Sequence, residues 1–544
     1  MTAGHPSLPP PPPAWPDGAE VLPAPPRPDL LGLEGSPGLA ALAAAAAVGV
    51  ATDLTVRAGL IGVAAALLFL LAAAGLVVGA RPTNPQALVL AGLAPLFGVW
   101  FAVRTSPWLL PFDALAAAGL LAVAASLARG GSVWDLRFTD LVVRATYAVG
   151  HGVVAPGVLV RAARLVAPAK AEGGEEGRAS RSLGIAVGVL LAVPLVVVFG
   201  ALLASADPVF ASFFDPVSLL GHVVLIVLGA WLAAALVRLA LAKQPVRPEV
   251  DFRWLSASGA VTVLVAIDAL FAAFAAAQLV ALSEGGRKVI ETAGLTWAEY
   301  ARSGFFQLLT VASLTVVVVL TLRGWAKADG RTGRLVTWLG VLTVGLTMTL
   351  VVVAFRRLDL YIDTFGLTML RLFSSLFTVW VGVVLALLAA ALVWPALSAA
   401  RRTNPVREEP EVVRRRGQDA PPRAWFGPVA AAAGLALLLA LNVVNPEALV
   451  VRHNVQAADR PDPEGTRAVD TFDPEYATRL SDDAIPTVVA SLPSLSAEAQ
   501  TEALVRIGCD DPPLSHSGWA AWNWSRAEAE RARDRVCPAG GSSP

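Results

Sequence analysis

Cysteine and lysine are both rare in this chain of 544 residues, and the two shortages limit its chemistry. Neither cysteine, Cys509 or Cys537, belongs to a CxxC spacing, so no thiol redox or cysteine-rich metal site is predicted. The 42 Lys and Arg residues are balanced by 42 Asp and Glu residues, which argues against a nucleic-acid-binding protein. The basic residues are almost all arginine, since the only lysines are Lys170, Lys243, Lys288 and Lys327.

Recognisable catalytic motifs are also missing. The sequence has no P-loop, no HExxH pair and no GxSxG nucleophile elbow. The start of the chain is a proline run, Leu8 to Pro13, without the basic segment and cleavage site of a secretory signal. We therefore predict no catalytic residue, metal or cofactor, and we leave open whether the protein is an enzyme.

Hydrophobic residues, in contrast, are abundant: they make up 56% of the chain, and the mean hydropathy is +0.63. They form eleven apolar runs, most of them about twenty residues long, which matches the thickness of a bilayer at 1.5 Å per residue. We predict an all-α, polytopic transmembrane helix bundle. The predicted spans are 38–54, 59–79, 87–103, 108–128, 182–205, 217–241, 254–282, 304–323, 333–355, 365–394 and 424–443. The first is alanine-rich and ends in Asp53, so whether it spans stays open.

The positions of the arginines predict the orientation. Basic residues concentrate between alternate spans, whereas the loop 206–216 has Asp207 and Asp215 and no basic residue. Basic loops face the cytoplasm in most membrane proteins. We predict a multi-pass protein of the bacterial inner membrane with a cytoplasmic N-terminus and an extracytoplasmic C-terminus. The basic stretches are 129–181, 238–253, 323–334 and 401–423.

The apolar and polar stretches divide the chain into seven segments. Residues 1–36 form a proline-rich tail predicted to be disordered. The segment 129–181 contains a predicted amphipathic interfacial helix, with Trp134, Phe138, Leu141, Ala145 and Ala148 on its apolar face. The other predicted segments are four helices in 37–128, a core bundle in 182–400, a basic cytoplasmic loop in 401–423, the last span in 424–443 and an extracytoplasmic helical domain in 444–544.

That C-terminal domain is predicted to contain three helices, which begin near residues 473, 496 and 519. The cysteines bracket the third helix and are predicted to form a disulfide, which stabilises a loop of that length by about 3–4 kcal/mol in the chain-entropy model. Three tryptophans stand at the start of this helix. Packing in the domain core or contact with the membrane interface is favoured over a ligand platform for Trp519, Trp522 and Trp524.

Polar residues inside the predicted spans call for partners or water. Asp268 lies near the middle of its span, where a carboxylate costs about 2.5–3.5 kcal/mol on insertion scales. Gln278 follows about 15 Å nearer the outer surface. Arg371 lies about two turns inside another span, and an intramembrane ion pair with Asp268 is one hypothesis. Near span ends, Asp113 is interpreted as a helix cap and His222 as a satisfied interfacial histidine.

Several segments in the second half of the chain resemble the core signature of an uncharacterised family of bacterial polytopic membrane proteins, the domain of unknown function 4153/4173. The resemblance covers about residues 254–490 and implies a multi-helix inner-membrane protein with no established activity. Asp268 stands where the family often has a polar amide. The segments that carry the resemblance are 270–274 with Gln278, 296–308, 360–371, 450–454, Tyr476 and 480–486.

Four arginines of this part, Arg302, Arg356, Arg357 and Arg371, are predicted at the outer level of the membrane, against the positive-inside trend. One interpretation is an interfacial anchor, to which Tyr300 and Arg302 contribute beside Gly304. The other is a site for an anionic lipid or a small anion, because guanidinium groups bind phosphate and carboxylate in a bidentate way. The candidate binding residues are Asp268, Gln278, Tyr300, Arg302, Arg356, Arg357, Tyr361 and Arg371.

Three classes of function remain for such a sequence, and its predicted partner is the lipid bilayer. A regulatory, scaffold or ligand-sensing membrane protein fits the small exported domain and the lack of a catalytic motif. A transporter or lipid-handling protein would use Asp268 and the outer arginines. A lipid-linked transferase ranks last, because the first outer loop is too short for the acidic loop that such enzymes generally carry.

Overall fold

The computed structural model describes residues 33, 39–136, 138–166, 199, 216–243, 254–281, 304–327, 330–401, 425–458, 472–507 and 518–537, and these are almost entirely helical. Two short parallel strands, β1 (Leu255–Ser256) and β2 (Ala326–Lys327), pair with each other. The helices are α1 Leu39–Arg57, α2 Val63–Ala80, α3 Pro85–Gly98, α4 Leu110–Ser126, α5 Phe138–Val153, α6 Pro156–Val166, α7 Pro216–Leu241, α8 Ala257–Ala281, α9 Phe305–Trp325, α10 Gly330–Phe365, α11 Met369–Arg401, α12 Phe426–Val444, α13 Pro446–Ala458, α14 Pro474–Thr478, α15 Ile485–Ser491, α16 Ala497–Arg506 and α17 Trp524–Val536.

The first helix group consists of α1–α4 and α7. Small residues let these helices approach closely: a Cβ on Gly49 of α1 would lie 2.5 Å from the carbonyl oxygen of Ile226 in α7. Gly75 of α2 likewise faces Ala44 of α1, since a Cβ added to this glycine would lie 2.8 Å from the alanine Cβ. Such contacts between backbones are the usual way in which membrane helices associate without a hydrophobic driving force. A shared core that includes Leu76 joins the group.

The second helix group consists of α8–α11. Leu385 and Leu388 of α11 are fully buried against Ala354 of α10 and Ala312 of α9. Helix α12 lies between the two groups, since Leu438 packs on the first core and Phe426 on the second. The groups also touch directly, because an aromatic ring of α4 stacks on one of α11 with 6.2 Å between the ring centroids.

The C-terminal helices α13–α17 form a separate small core that contains Val488, Ala503 and Ala529. They lie against the loops α1–α2, α3–α4 and α10–α11, so these three loops share one end of the bundle. We call this end the outer end, after the orientation predicted from the arginines.

The prediction of an all-α polytopic bundle is confirmed. Among the described residues, nine helices are long and apolar enough to cross a membrane, and they correspond to nine of the predicted spans. The predicted span 108–128 forms the shorter apolar helix Leu110–Ser126. The predicted span 182–205 falls outside the described residues apart from position 199, so the total of eleven stays a prediction. The first predicted span, which was open, is an apolar helix of 19 residues.

The predicted amphipathic helix is present, but its start is wrong. The chain forms a separate 3-10 turn at Val133–Asp135, in which Ser132 caps the turn, and α5 begins at Phe138. Trp134 therefore does not share a helical face with the later residues. Helix α5 packs on α7, where the Trp231 indole donates a hydrogen bond to the carbonyl of Gly152 at 2.7 Å.

In the C-terminal helices, two predicted starts are confirmed by their caps. The Asp473 carboxylate accepts from the N–H of Tyr476 at 2.9 Å, and the Ser496 hydroxyl accepts from the N–H of Ala499 at 3.3 Å. The predicted third helix is split, because a 3-10 turn at Trp519–Ala521 precedes α17 and Asn523 caps that helix. The core-packing interpretation of the tryptophans is wrong: Trp519, Trp522 and Trp524 are 59%, 43% and 50% exposed.

The predicted disulfide stays a prediction, because Cys509 lies outside the described residues while Cys537 follows α17. If the pair is oxidised, both thiols should resist maleimide under denaturing conditions and react only after a reductant is added. Mass spectrometry of the labelled chain checks this. Labelling of either cysteine without reductant would contradict the prediction.

Candidate functional site

The loop between α3 and α4 is bound by a buried carboxylate of the C-terminal helices. Asp483, which is 2% exposed, accepts from the backbone N–H groups of Thr105 at 3.3 Å and Ser106 at 3.1 Å. The backbone of Asp483 is held as well, since its carbonyl accepts from the side chain of Asn445 at 2.8 Å. Asn445 occupies the turn between α12 and α13 with a left-handed φ of 59°. These contacts join α13, α15 and the first helix group.

A second buried carboxyl, Glu447, lies beside Asp483. It is 1% exposed and accepts from the backbone N–H and the hydroxyl of Ser481, both at 2.7 Å. The cation nearby is Arg104, whose guanidinium donates to the carbonyl of Asn442 at the end of α12, at 2.6 and 2.8 Å. Arg104 thus caps a helix C-terminus, where a positive charge is favourable, and its charge also acts on both carboxyls.

Burial raises the pKa of both Glu447 and Asp483 above the ordinary carboxyl range. A carboxyl whose pKa is higher in the docked state binds more protons there, so docking weakens as pH rises through that interval. The interval begins at a pH of about 4, the ordinary pKa of a free carboxyl. We therefore expect the C-terminal helices to be docked more firmly in mildly acidic than in mildly alkaline buffer. Limited proteolysis of the full chain at both conditions checks this, and faster cleavage in acid would contradict it.

The loop between α10 and α11 is bound by an amide and a phenol. Asn454 of α13 pairs with both backbone groups of Leu367: it accepts from the N–H and donates to the carbonyl, each at 2.8 Å. The Tyr476 hydroxyl accepts from the N–H of Met369 at 2.7 Å. Gly366 has a positive φ of 77°, and a Cβ at this position would lie 3.3 Å from the Asn454 oxygen. Glycine at this position therefore permits the close approach.

The loop between α1 and α2 touches the last helical segment. The N–H of Val63 donates to the carbonyl of Trp522 at 3.0 Å. A Cβ on Gly62 would come within 2.5 Å of that same carbonyl oxygen, so only glycine fits there without a shift. Asn523 donates to the carbonyls of Phe101 and Arg104 at 3.0 and 2.9 Å, which ties the same segment to the α3–α4 loop.

We call Asp483, Asn454 and Tyr476 the outer clamp. One residue binds the loop of the first helix group, and the other two bind the loop of the second. All three lie in segments that carried the family resemblance, although the sequence alone did not assign them a role. The sequence analysis did not identify Arg104 or Glu447 as functional residues. The signal in the sequence was that each is a charged residue just after a predicted span.

Asp268, the predicted intramembrane carboxylate, is 7% exposed on α8. Its Oδ1 accepts from the hydroxyl of Thr343 on α10 at 2.6 Å. Its Oδ2 has no hydrogen-bond partner among the described residues. Asp268 thus faces protein rather than lipid, as predicted, and it is only half satisfied.

The hypothesised ion pair between Asp268 and Arg371 is wrong. Arg371 donates to the carbonyl of Phe365 at 2.8 Å and also to the carbonyl of Gly366, and its guanidinium stacks on the Tyr361 ring with 4.2 Å to the centroid. It caps the end of α10, whose last carbonyls lack helical partners. The residue therefore shapes the loop that the outer clamp binds.

Of the other candidate residues, Gln278 and Arg357 are brought together: the Arg357 guanidinium donates to the Gln278 side-chain oxygen at 3.3 Å. Arg356 is exposed, and Tyr300 and Arg302 lie outside the described residues. Arg357 and Tyr361 are one turn apart on α10. Since Arg357 and Arg371 already bind oxygens of the chain, the anion-site interpretation loses support at these two positions.

The cap interpretation of Asp113 is wrong as well. The residue is fully buried, and its Oδ1 accepts from the Asn442 amide of α12 at 2.8 Å. His222, in contrast, is satisfied as interpreted, because its Nδ1 lies 2.6 Å from the Asp53 carboxylate. No cluster of three or more His, Cys, Asp or Glu residues that could hold a metal occurs in the part of the chain that the structure describes.

The helices and their contacts define the class of this molecule: it is a multi-pass helical membrane protein whose C-terminal helices dock on the loops at one end of the bundle. The chain belongs to the family described as "Domain of unknown function (DUF4153)", whose family model matches residues 91–491. The match begins within α3, well before the resemblance seen from residue 254. No curated protein and no solved structure matches the chain.

Proposed function

We propose that the protein is a regulatory, ligand-sensing membrane protein of the bacterial inner membrane. In this proposal the C-terminal helices form an extracytoplasmic sensing domain, and the outer clamp couples that domain to the two helix groups. The basic stretches that alternate with the spans in the sequence support this orientation.

One observation carries the proposal: the clamp binds backbone groups of loops from both helix groups at once. Backbone contacts of this kind fix the position of a loop regardless of its side chains, and a buried amide left without its partner costs about 1–3 kcal/mol. A ligand that shifts α13 or α15 would therefore move the α3–α4 and α10–α11 loops together. Coupling between sites requires an element whose equilibrium both sites bias, and a domain attached to both loops can serve as one.

The test is genetic. An allele with Asp483→Ala and Asn454→Ala at the native locus should reproduce the phenotype of a deletion, at a normal protein level in the membrane fraction. A matched allele with Asp359→Ala and Gln456→Ala, two exposed residues outside the clamp, should behave as the natural gene does. A double clamp variant that lacks the phenotype of the deletion would contradict the proposal.

A second candidate function, a transporter or lipid-handling protein, is favoured by the partnerless Oδ2 of Asp268. A half-satisfied carboxyl in the middle of a span is a common feature of ion and proton pathways. If Asp268 serves such a pathway, Asp268→Asn should insert normally and yet fail to complement a deletion strain, since the amide cannot carry a proton. Full complementation by this variant would contradict the transport hypothesis. The matched control is Asp359→Asn.

A further inference from the structure

Helices α1 and α2 line a groove in the outer half of the bundle. Near the inner end they are pinched together, because Gly75 and Gly79 of α2 let Ala44 and Ala41 of α1 approach closely. On the outer side of these contacts lies a cavity of about 410 Å³, which is within the range of about 300–1,000 Å³ typical of small-molecule sites.

The walls of this groove are apolar throughout. Ala47, Val50 and Leu54 of α1 face Ala64 and Leu67 of α2. Val50 is 48% exposed, so one side of the groove between α1 and α2 is open on the surface of the bundle. Because α1 and α2 are both candidate membrane spans, we expect that open side to face the hydrocarbon region of a bilayer.

The outer end of the groove is lined by Trp519, which lies in the 3-10 turn before α17. Its position is fixed by neighbouring contacts: the carbonyl of Trp522 binds the N–H of Val63, and the Arg526 guanidinium donates to the carbonyl of Ala521 at 2.6 Å. The groove is thus continuous with the interface between the C-terminal helices and the bundle. An indole at this level is typical of the boundary between headgroups and acyl chains.

We propose that this groove binds one acyl chain of a bilayer phospholipid, with Trp519 against the segment of the chain next to the headgroup. The walls offer no polar group that would favour a soluble ligand, and the open side admits a chain laterally from the membrane. An occupied groove places the lipid in contact with both the bundle and the C-terminal helices. The inference rests on the proposed sensing function in one respect: it names the class of ligand that the sensing domain would read.

Photocrosslinking of the full chain tests the proposal. The protein is reconstituted in phosphatidylethanolamine bilayers that contain a small fraction of the same lipid with a diazirine in its acyl chain, and the adducts are mapped by mass spectrometry. We expect adducts concentrated on residues 46–54, 64–71 and Trp519. Adducts spread evenly over the lipid-facing helices would overturn the proposal.

Two variants and one control sharpen the result. Ala47→Leu fills the groove and should lower the adduct yield there about tenfold, the change that about 1.4 kcal/mol of binding free energy gives. Trp519→Ala changes a side chain that is 59% exposed and should remove adducts from the outer end. Ala118→Leu adds the same bulk at an exposed position of α4 and should have no effect. Equal yields in Ala47→Leu and the natural chain would refute the site.

The same samples separate this proposal from the proposed function. Hydrogen exchange of α13–α17 should be faster in Ala47→Leu than in the natural chain if the domain reads the lipid. Localised adducts with unchanged exchange would leave the lipid site standing and count against the sensing function.

Discussion

Asp483→Ala should weaken the attachment of the C-terminal helices to the α3–α4 loop and lower the free energy of docking by about 2–4 kcal/mol. The substitution leaves the N–H groups of Thr105 and Ser106 without an acceptor in a buried place. It also removes a carboxyl near Arg104. Peptide-resolved hydrogen exchange of the full chain in bilayer nanodiscs measures the change.

The control for this variant is Asp359→Ala, since Asp359 is an exposed carboxyl that forms no hydrogen bond or ion pair in the described part of the chain. It should leave exchange in residues 103–109 unchanged. Equal protection of this loop in Asp483→Ala and the natural chain would show that the buried carboxyl does not hold it.

The second large effect is expected at the other loop. Asn454→Ala removes the hydrogen-bond partners of both the N–H and the carbonyl of Leu367. Because one donor and one acceptor lose their hydrogen bonds together, the docking free energy should fall by about 2–3 kcal/mol. The midpoint of urea-induced release of the C-terminal helices, followed by proteolysis, measures this loss.

Gln456→Ala serves as the matched control, because Gln456 is an exposed amide two residues further along α13. An Asn454→Ala midpoint equal to that of Gln456→Ala would mean that the Leu367 contact contributes nothing. The double variant with Asp483→Ala should lose less than the sum of the single variants if both contacts act on one rigid domain.

Periodicity and length were sufficient to predict most helices, because about twenty apolar residues leave the backbone no other way to satisfy its hydrogen bonds in a membrane. Caps such as Asp473 and Ser496 also marked helix starts in the C-terminal region. What the sequence could not predict was pairing between distant residues. Asp113 has the position of a cap, and it binds Asn442 instead.

The same limit applies to the candidate site. The outer arginines stand out in the sequence as unusual charges, and the structure has Arg371 bound to carbonyls of its own loop. The residues that connect the helix groups, such as Asn454 and Tyr476, are uncharged, and their partners are backbone atoms. Every residue has backbone polar groups, so the sequence does not indicate which of them a side chain will bind. Only the fold reveals this part of the site.

The most direct test of the central claim, that the outer clamp joins both helix groups through one domain, is hydrogen exchange at the loop far from the substitution. Asp483→Ala should accelerate exchange not only at Thr105 and Ser106 but also at Leu367 and Met369, whose amides bind Asn454 and Tyr476. Acceleration confined to Thr105 and Ser106, with Leu367 and Met369 as protected as in the natural chain, would contradict the claim.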